Sequence, residues 1–66
     1  MATLKELEGR RELLTAEELA ALLNVSEKTI YRWSKFGSLP SMRLGTLVRF
    51  EPAAVSVWLR ERGAAA

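Results

Sequence analysis

Lys28, Arg32 and Lys35 stand at i, i+4 and i+7 within Ser26-Glu27-Lys28-Thr29-Ile30-Tyr31-Arg32-Trp33-Ser34-Lys35-Phe36-Gly37. At about 100° of turn per residue this spacing aligns the three cations as one stripe of a helix, with Ile30, Trp33, Ser34 and Gly37 on the opposite side. A short rod that is apolar on one side and cationic on the other offers ammonium and guanidinium donors to a polyanion, and a duplex major groove is wide enough to receive it. A solvated helix face has the same pattern, so the segment alone leaves both readings open. Ser26 supplies the N-cap hydroxyl, and Gly37 suits a C′ position that needs positive φ.

Within the stripe, Arg32 is the first candidate for base readout, because one guanidinium can donate two bonds to a guanine edge. Lys28 suits a base edge or a phosphate. Thr29 suits a thymine methyl or a phosphate, or merely fills the helix. Lys35, a turn further on, suits a backbone contact. Tyr31 flanks the stripe on the Glu27 side, where its hydroxyl reaches a phosphate or its ring packs half-exposed. Glu27 serves the positive N-terminus of the helix or, as the second choice, accepts from a cytosine edge. Trp33 belongs to the core beside Ile30, as does Trp58 on a helix with no basic face. Arg60 and Arg62 read as solvated charges near a helix C-terminus.

Sixty-six residues make one small domain, which works by surface contact and not through a deep pocket. With no Cys and no His, zinc fingers, thiol chemistry and imidazole catalysis are excluded. No residue is nominated as a catalyst, metal ligand or cofactor ligand, and an enzyme is not expected. The net charge is only +2, but it is unevenly spread. Five basic residues and no acidic one lie between Lys28 and Phe50, and all eight Glu fall outside that window. That is an electrostatic footprint for a polyanion. The longest apolar run is far short of a membrane span and the N-terminus lacks the apolar centre of a signal peptide. A cytoplasmic, nucleoid-associated location without a membrane partner is therefore expected.

The elements that must hold the stripe follow from local signals. Residues 1–12 are charge-mixed, with Leu4 and Leu7 as the main apolar positions, and form either a frayed helix or a disordered N-terminal arm. Leu13-Leu14 make a very short strand or an apolar lead-in. Thr15-Ala16-Glu17-Glu18 matches a capping box, Leu19, Leu22 and Leu23 give the helix after it an apolar face, and Asn24 suits a left-handed stop. Asn24-Val25-Ser26 is then the turn of a helix-turn-helix. Pro40 bars continuation of the second helix. From Met42 to Phe50 the period changes to two, so that Met42, Leu44, Val48 and Phe50 alternate with Arg43 and Arg49 around Gly45-Thr46. This predicts a hairpin with an apolar inward face and a basic outward face. Glu51-Pro52 opens a last helix with Val55, Trp58 and Leu59 as its stripe, closing the core against Trp33 and Phe50. The predicted fold is mainly α with a small β-hairpin, a winged helix-turn-helix over residues 13–62, with a frayed C-terminus at 63–66.

Leu14-Thr15-Ala16-Glu17-Glu18-Leu19-Ala20, Val25-Ser26-Glu27-Lys28-Thr29-Ile30-Tyr31-Arg32-Trp33, Leu39-Pro40-Ser41-Met42-Arg43-Leu44-Gly45 and Arg49-Phe50 come in an order and spacing that resembles the excisionase family of DNA-binding domains. These are the smallest members of the MerR-like winged-helix group, and the resemblance covers roughly Leu13 to Arg62. It implies that the second helix enters the major groove while the wing reaches an adjacent minor groove or backbone. It also implies that Ser26, Lys28, Thr29, Tyr31 and Arg32, with Arg43 and Arg49 in the wing, meet DNA. Such wings often carry consecutive basic residues after the Gly. Here Thr46 and Leu47 follow it, which leaves Arg43, Thr46 and Arg49 as the wing's contacts and weakens its grip on phosphate. Leu47 suits contact with a neighbouring protomer, a wedge into a groove, or, as the first choice, simple tolerance as an isolated surface leucine.

The resemblance implies sequence-specific binding of double-stranded DNA, as an excisionase directing recombination or as a small transcription regulator. Its expected partners are duplex DNA, further copies of the chain on adjacent sites, and a recombinase or RNA polymerase. The alternative, from a different class, is a protein-interaction adaptor on the same scaffold that docks through Leu47, Phe36 and the Leu4/Leu7 segment.

Overall fold

A computed structural model describes residues 2–62, so the fraying expected over residues 63–66 lies outside the described residues. The chain runs α1 (Ala2–Gly9), α2 (Ala16–Leu23), α3 (Glu27–Phe36), β1 (Met42–Leu44), β2 (Leu47–Arg49) and α4 (Pro52–Glu61). This is a mainly helical winged helix-turn-helix with a two-stranded antiparallel hairpin, as the sequence predicts.

Both ends of α2 and the start of α3 are set by side chains within a few residues. The Thr15 hydroxyl accepts from the Glu18 amide at 3.0 Å, and the Glu18 carboxylate accepts from the Thr15 amide at 2.9 Å. Asn24 stops the helix in the left-handed region at φ 58° and ψ 46°, a conformation its short polar side chain tolerates. Ser26 is extended and its hydroxyl accepts from the Thr29 amide at 3.2 Å. Between them the Val25 amide donates to the Ala20 carbonyl at 3.0 Å, and the Val25 side chain packs on the core. The angle between the two helices is thus fixed by hydrogen bonds and by an apolar residue inside the turn.

The end of α3 differs from expectation. Gly37 has φ −105°, and Ser38 takes the left-handed conformation at φ 64°. The Trp33 carbonyl accepts from both Gly37, at 2.8 Å, and Leu39, at 3.1 Å, which turns the chain back and buries Leu39. What requires a glycine at 37 is proximity: a Cβ there would lie 3.1 Å from the Trp33 carbonyl oxygen and 3.3 Å from its Cα.

In the hairpin, Met42 pairs with Arg49, Arg43 with Val48 and Leu44 with Leu47. Gly45 takes φ 67° at the first of the two tip positions, the pattern of a type II′ turn. This register corrects the expected division into an apolar and a basic face. A two-residue tip sets even-numbered residues opposite odd-numbered ones, so an alternation that runs unbroken through the tip changes face from one strand to the next. Arg43 and Val48 share one face, while Met42, Leu44, Leu47 and Arg49 share the other. Leu14 and Phe50 then exchange two backbone bonds of 2.8 Å, so Leu13-Leu14 supplies a single bridge and not a strand.

The core is built from Leu7, Leu14, Leu19, Ile30, Leu39, Phe50, Val55 and Trp58. At about 1.5–3 kcal/mol for each large apolar side chain buried, these few residues carry much of what opposes chain entropy. Pro52 occupies the first turn of α4, and Trp58 meets Trp33 with ring centroids 5.6 Å apart, closing the core as predicted. Residues 2–9 take the helical of the two options left open, and Leu7 is fully buried. The side chain of Leu4 lies outside the described residues. Arg60 and Arg62 are not simply solvated: Arg60 pairs with Glu8 of α1, and Arg62 lies 4.7 Å from the centre of the Trp58 ring.

Candidate nucleic-acid interface

Helix α3 turns Ile30 fully into the core and half-buries Trp33, leaving Lys28, Arg32 and Lys35 exposed on the far side. Among the described residues the only ion pair is Arg60 with Glu8, so Lys28, Arg32 and Lys35 make none. Tyr31, 49% exposed, lies beside it. Ser26 and Thr29 are occupied by the cap, their hydroxyls 3.0 Å apart and that of Ser26 also accepting from the Thr29 amide. The Lys35 ammonium stands 5.4 Å from the centre of the Phe36 ring, which is 77% exposed.

The register places Arg43 on the wing face turned toward α3. There a cleft of about 530 Å³ is lined by Tyr31, Ser34, Lys35, Ser41, Arg43 and Val48. Ser34 donates to Ser41 at 3.1 Å and ties the base of the wing to the helix. The sequence does not single out Ser41, and it sets Ser34 on the side of α3 opposite the cations; the structure half-buries Ser34 but places it in the cleft beside Lys35. The signal for each is spacing: Ser34 follows Tyr31 by three residues on the helix, and Ser41 precedes Arg43 by two, one position before β1.

Arg49 does not join this cleft. It is partly buried, its guanidinium donates to the Val48 carbonyl at 2.8 Å, and it lies on the wing's other face. Its charge is felt by Glu18, whose carboxyl is held below its usual value. The largest cause is the hydrogen bond from the Thr15 amide; the Thr15 hydroxyl, Arg10 and Arg49 lower it further, against a desolvation that raises it. Thr46 is exposed at the hairpin tip. The structure therefore gathers Lys35, Tyr31 and Arg43 around one cleft, leaves Lys28 and Arg32 exposed on the same helix stripe as Lys35, and sets Arg49 apart. Among the described residues no cluster of acidic side chains could hold a metal ion, and no helix is long and apolar enough to cross a membrane.

Fold and site together define a winged helix-turn-helix module in which the second helix of the motif exposes three cations that form no ion pair. A helix-turn-helix domain profile matches residues 13–63, and the chain belongs to that family. It is 42% identical over 48 residues to two Mycobacterium tuberculosis proteins, from strains CDC 1551 / Oshkosh and H37Rv, each named as a candidate DNA-binding protein. The match covers 73% of this chain and 62% of the length of each relative. No solved structure matches the chain significantly.

Proposed function

We propose that this chain binds double-stranded DNA sequence-specifically and without catalysis, with α3 in the major groove and the wing on the adjoining backbone. The observation that supports this reading best is that Lys28, Arg32 and Lys35 are exposed and unpaired on the outer face of α3. Arg32 and Lys28, beside Ser26 and Thr29, read base edges; Lys35, Tyr31 and Arg43 hold phosphates and fix the register. Thr46 extends the contact at the tip, and Arg49 adds charge from the other face of the wing. A single module of this size buries little DNA, so occupancy is built from several copies on adjacent sites.

In this reading the module works on cytoplasmic, nucleoid DNA in one of the two roles of the excisionase group. It either bends an attachment site to direct a recombinase or regulates transcription beside RNA polymerase. Binding of a random-sequence duplex that falls steeply with salt is the first test. Footprinting across the genomic neighbourhood then separates the roles: protection of an attachment site next to an integrase gene supports excision, and protection confined to promoters supports regulation. Duplex binding that is absent even at low salt favours the adaptor reading. That reading would rest on Phe36 and on Leu47, which is 52% exposed, because Leu7 is buried.

A further inference from the structure

We infer that the cleft between α3 and the wing seats a single backbone phosphodiester, gripped jointly by Lys35 and Arg43 with the Ser41 hydroxyl as a third donor. This inference rests on the DNA-binding reading and specifies how one part of that surface works. The lining of the cleft contains two cations, three hydroxyls and no carboxylate, with Val48 as the apolar wall. Lys35 comes from the helix and Arg43 from the wing, so like charges from two elements face one space, and an anion between them relieves their repulsion.

The hydroxyl chemistry points the same way. Ser34 donates to the Ser41 oxygen, which commits the Ser34 proton and fixes the orientation of Ser41. Each hydroxyl carries one proton, so the proton of Ser41 remains available to an acceptor in the cleft. The same bond ties the base of the wing to α3, the two elements that carry Arg43 and Lys35. At about 530 Å³ the cleft has room for a phosphate group. Arg49, on the opposite face of the wing, takes no part.

The test uses the full chain and a duplex selected from a random pool, carrying a single neutral methylphosphonate at successive linkages. At one linkage, neutralisation is expected to weaken wild-type binding about tenfold, while the Lys35→Ala and Arg43→Ala variants lose at most about twofold more there. Because counterion release counts phosphates and not cations, each single variant should keep the slope of log K against log salt, and the double variant should lose about 0.9. Ser41→Ala should bind the unmodified duplex several-fold more weakly, yet match wild type on the duplex neutralised at that linkage. Loss of about 1.8 in the double variant, or sensitivity of Lys35→Ala and Arg43→Ala to different linkages, overturns the shared seat. Unchanged binding by Ser41→Ala overturns its role as donor. If no duplex binds at low salt, the DNA-binding reading itself fails, an outcome distinct from duplex binding without a shared linkage.

Discussion

The indole N–H of Trp58 donates to the carbonyl oxygen of Gly37 at 2.9 Å, joining α4 to the exit of α3 across 21 positions of sequence. Arg62, stacked over the same indole, donates to that carbonyl as well, and Trp33 packs against the ring. The C-terminal end of the cationic helix is therefore held by residues that lie away from its exposed face. Trp58→Phe keeps most of the buried ring and removes the donor. It is expected to cost about 1 kcal/mol in urea unfolding, or a fall of roughly 4–8 °C in Tm. An unchanged unfolding midpoint would show that Arg62 alone satisfies the carbonyl.

Glycine at 37 and serine at 38 should respond in opposite senses. Gly37→Ala places a methyl 3.1 Å from the Trp33 carbonyl oxygen and 3.3 Å from its Cα, backbone atoms that cannot easily retreat, and should destabilise by about 1–3 kcal/mol. Ser38→Gly removes a Cβ from a left-handed residue and should raise stability by up to about 1 kcal/mol. Thermal melts of the two variants decide it: an alanine at 37 as stable as wild type would remove proximity as the reason for the glycine.

Leu7 is fully buried, although it precedes the segment that matches the helix-turn-helix family. Leu7→Ala is expected to cost about 2–5 kcal/mol, a large share of the stability of so small a domain. Circular dichroism should show partial unfolding at room temperature. Glu8→Ala removes only an exposed ion pair with Arg60 and should change stability by under about 1 kcal/mol. If both variants melted like wild type, α1 would not be part of the cooperative unit.

What was legible from sequence is what neighbours decide. Thr15 and Glu18 cap each other, Asn24 stops α2 and Ser26 caps α3, all through partners a few residues away. The cationic stripe is equally local, because i, i+4 and i+7 spacing fixes a face once the helix exists. The burial of Leu7 was not legible, since α1 packs against α4, a helix that begins more than forty residues later. Gly37 announced a special position, but positive φ and missing room for a Cβ leave the same trace in sequence. The hairpin faces depended on a two-residue tip reversing the alternation, and the position of Arg49 followed from that. Spacing puts Ser34 beside Tyr31 and Ser41 beside Arg43, but that the two pairs meet is decided only when α3 and the wing come together.

Glu18 gives the fold a pH dependence of known sign. Its carboxyl is held below the usual 4.5, first by the Thr15 amide, so the folded state binds that proton less readily than the unfolded chain. The stabilisation is complete above the unfolded value and is lost as pH falls through the lowered folded one. Glu18→Gln can still accept from the Thr15 amide but does not titrate. The stability difference between wild type and Glu18→Gln, followed by denaturant unfolding from pH 6 to pH 3, should therefore shrink toward acid. A difference that stays constant across that range would refute the assignment.

Arg32 and Lys35 lie on one exposed stripe, but only Arg32 sits at its middle, where a planar fork can meet a base edge. Arg32→Ala should cost about 1–3 kcal/mol on the preferred duplex and much less on random duplex, relaxing base preference. Lys35→Ala should weaken both alike, because a phosphate carries no sequence information. Arg32→Lys separates charge from geometry: it should retain binding to random duplex and lose the preference, since an ammonium lacks the bidentate fork. Both side chains are exposed, so thermal melts should match wild type and any binding loss belongs to the interface. If Arg32→Ala left affinity and preference untouched, α3 would not be the element in the groove. The cationic stripe would then be a solvated face after all.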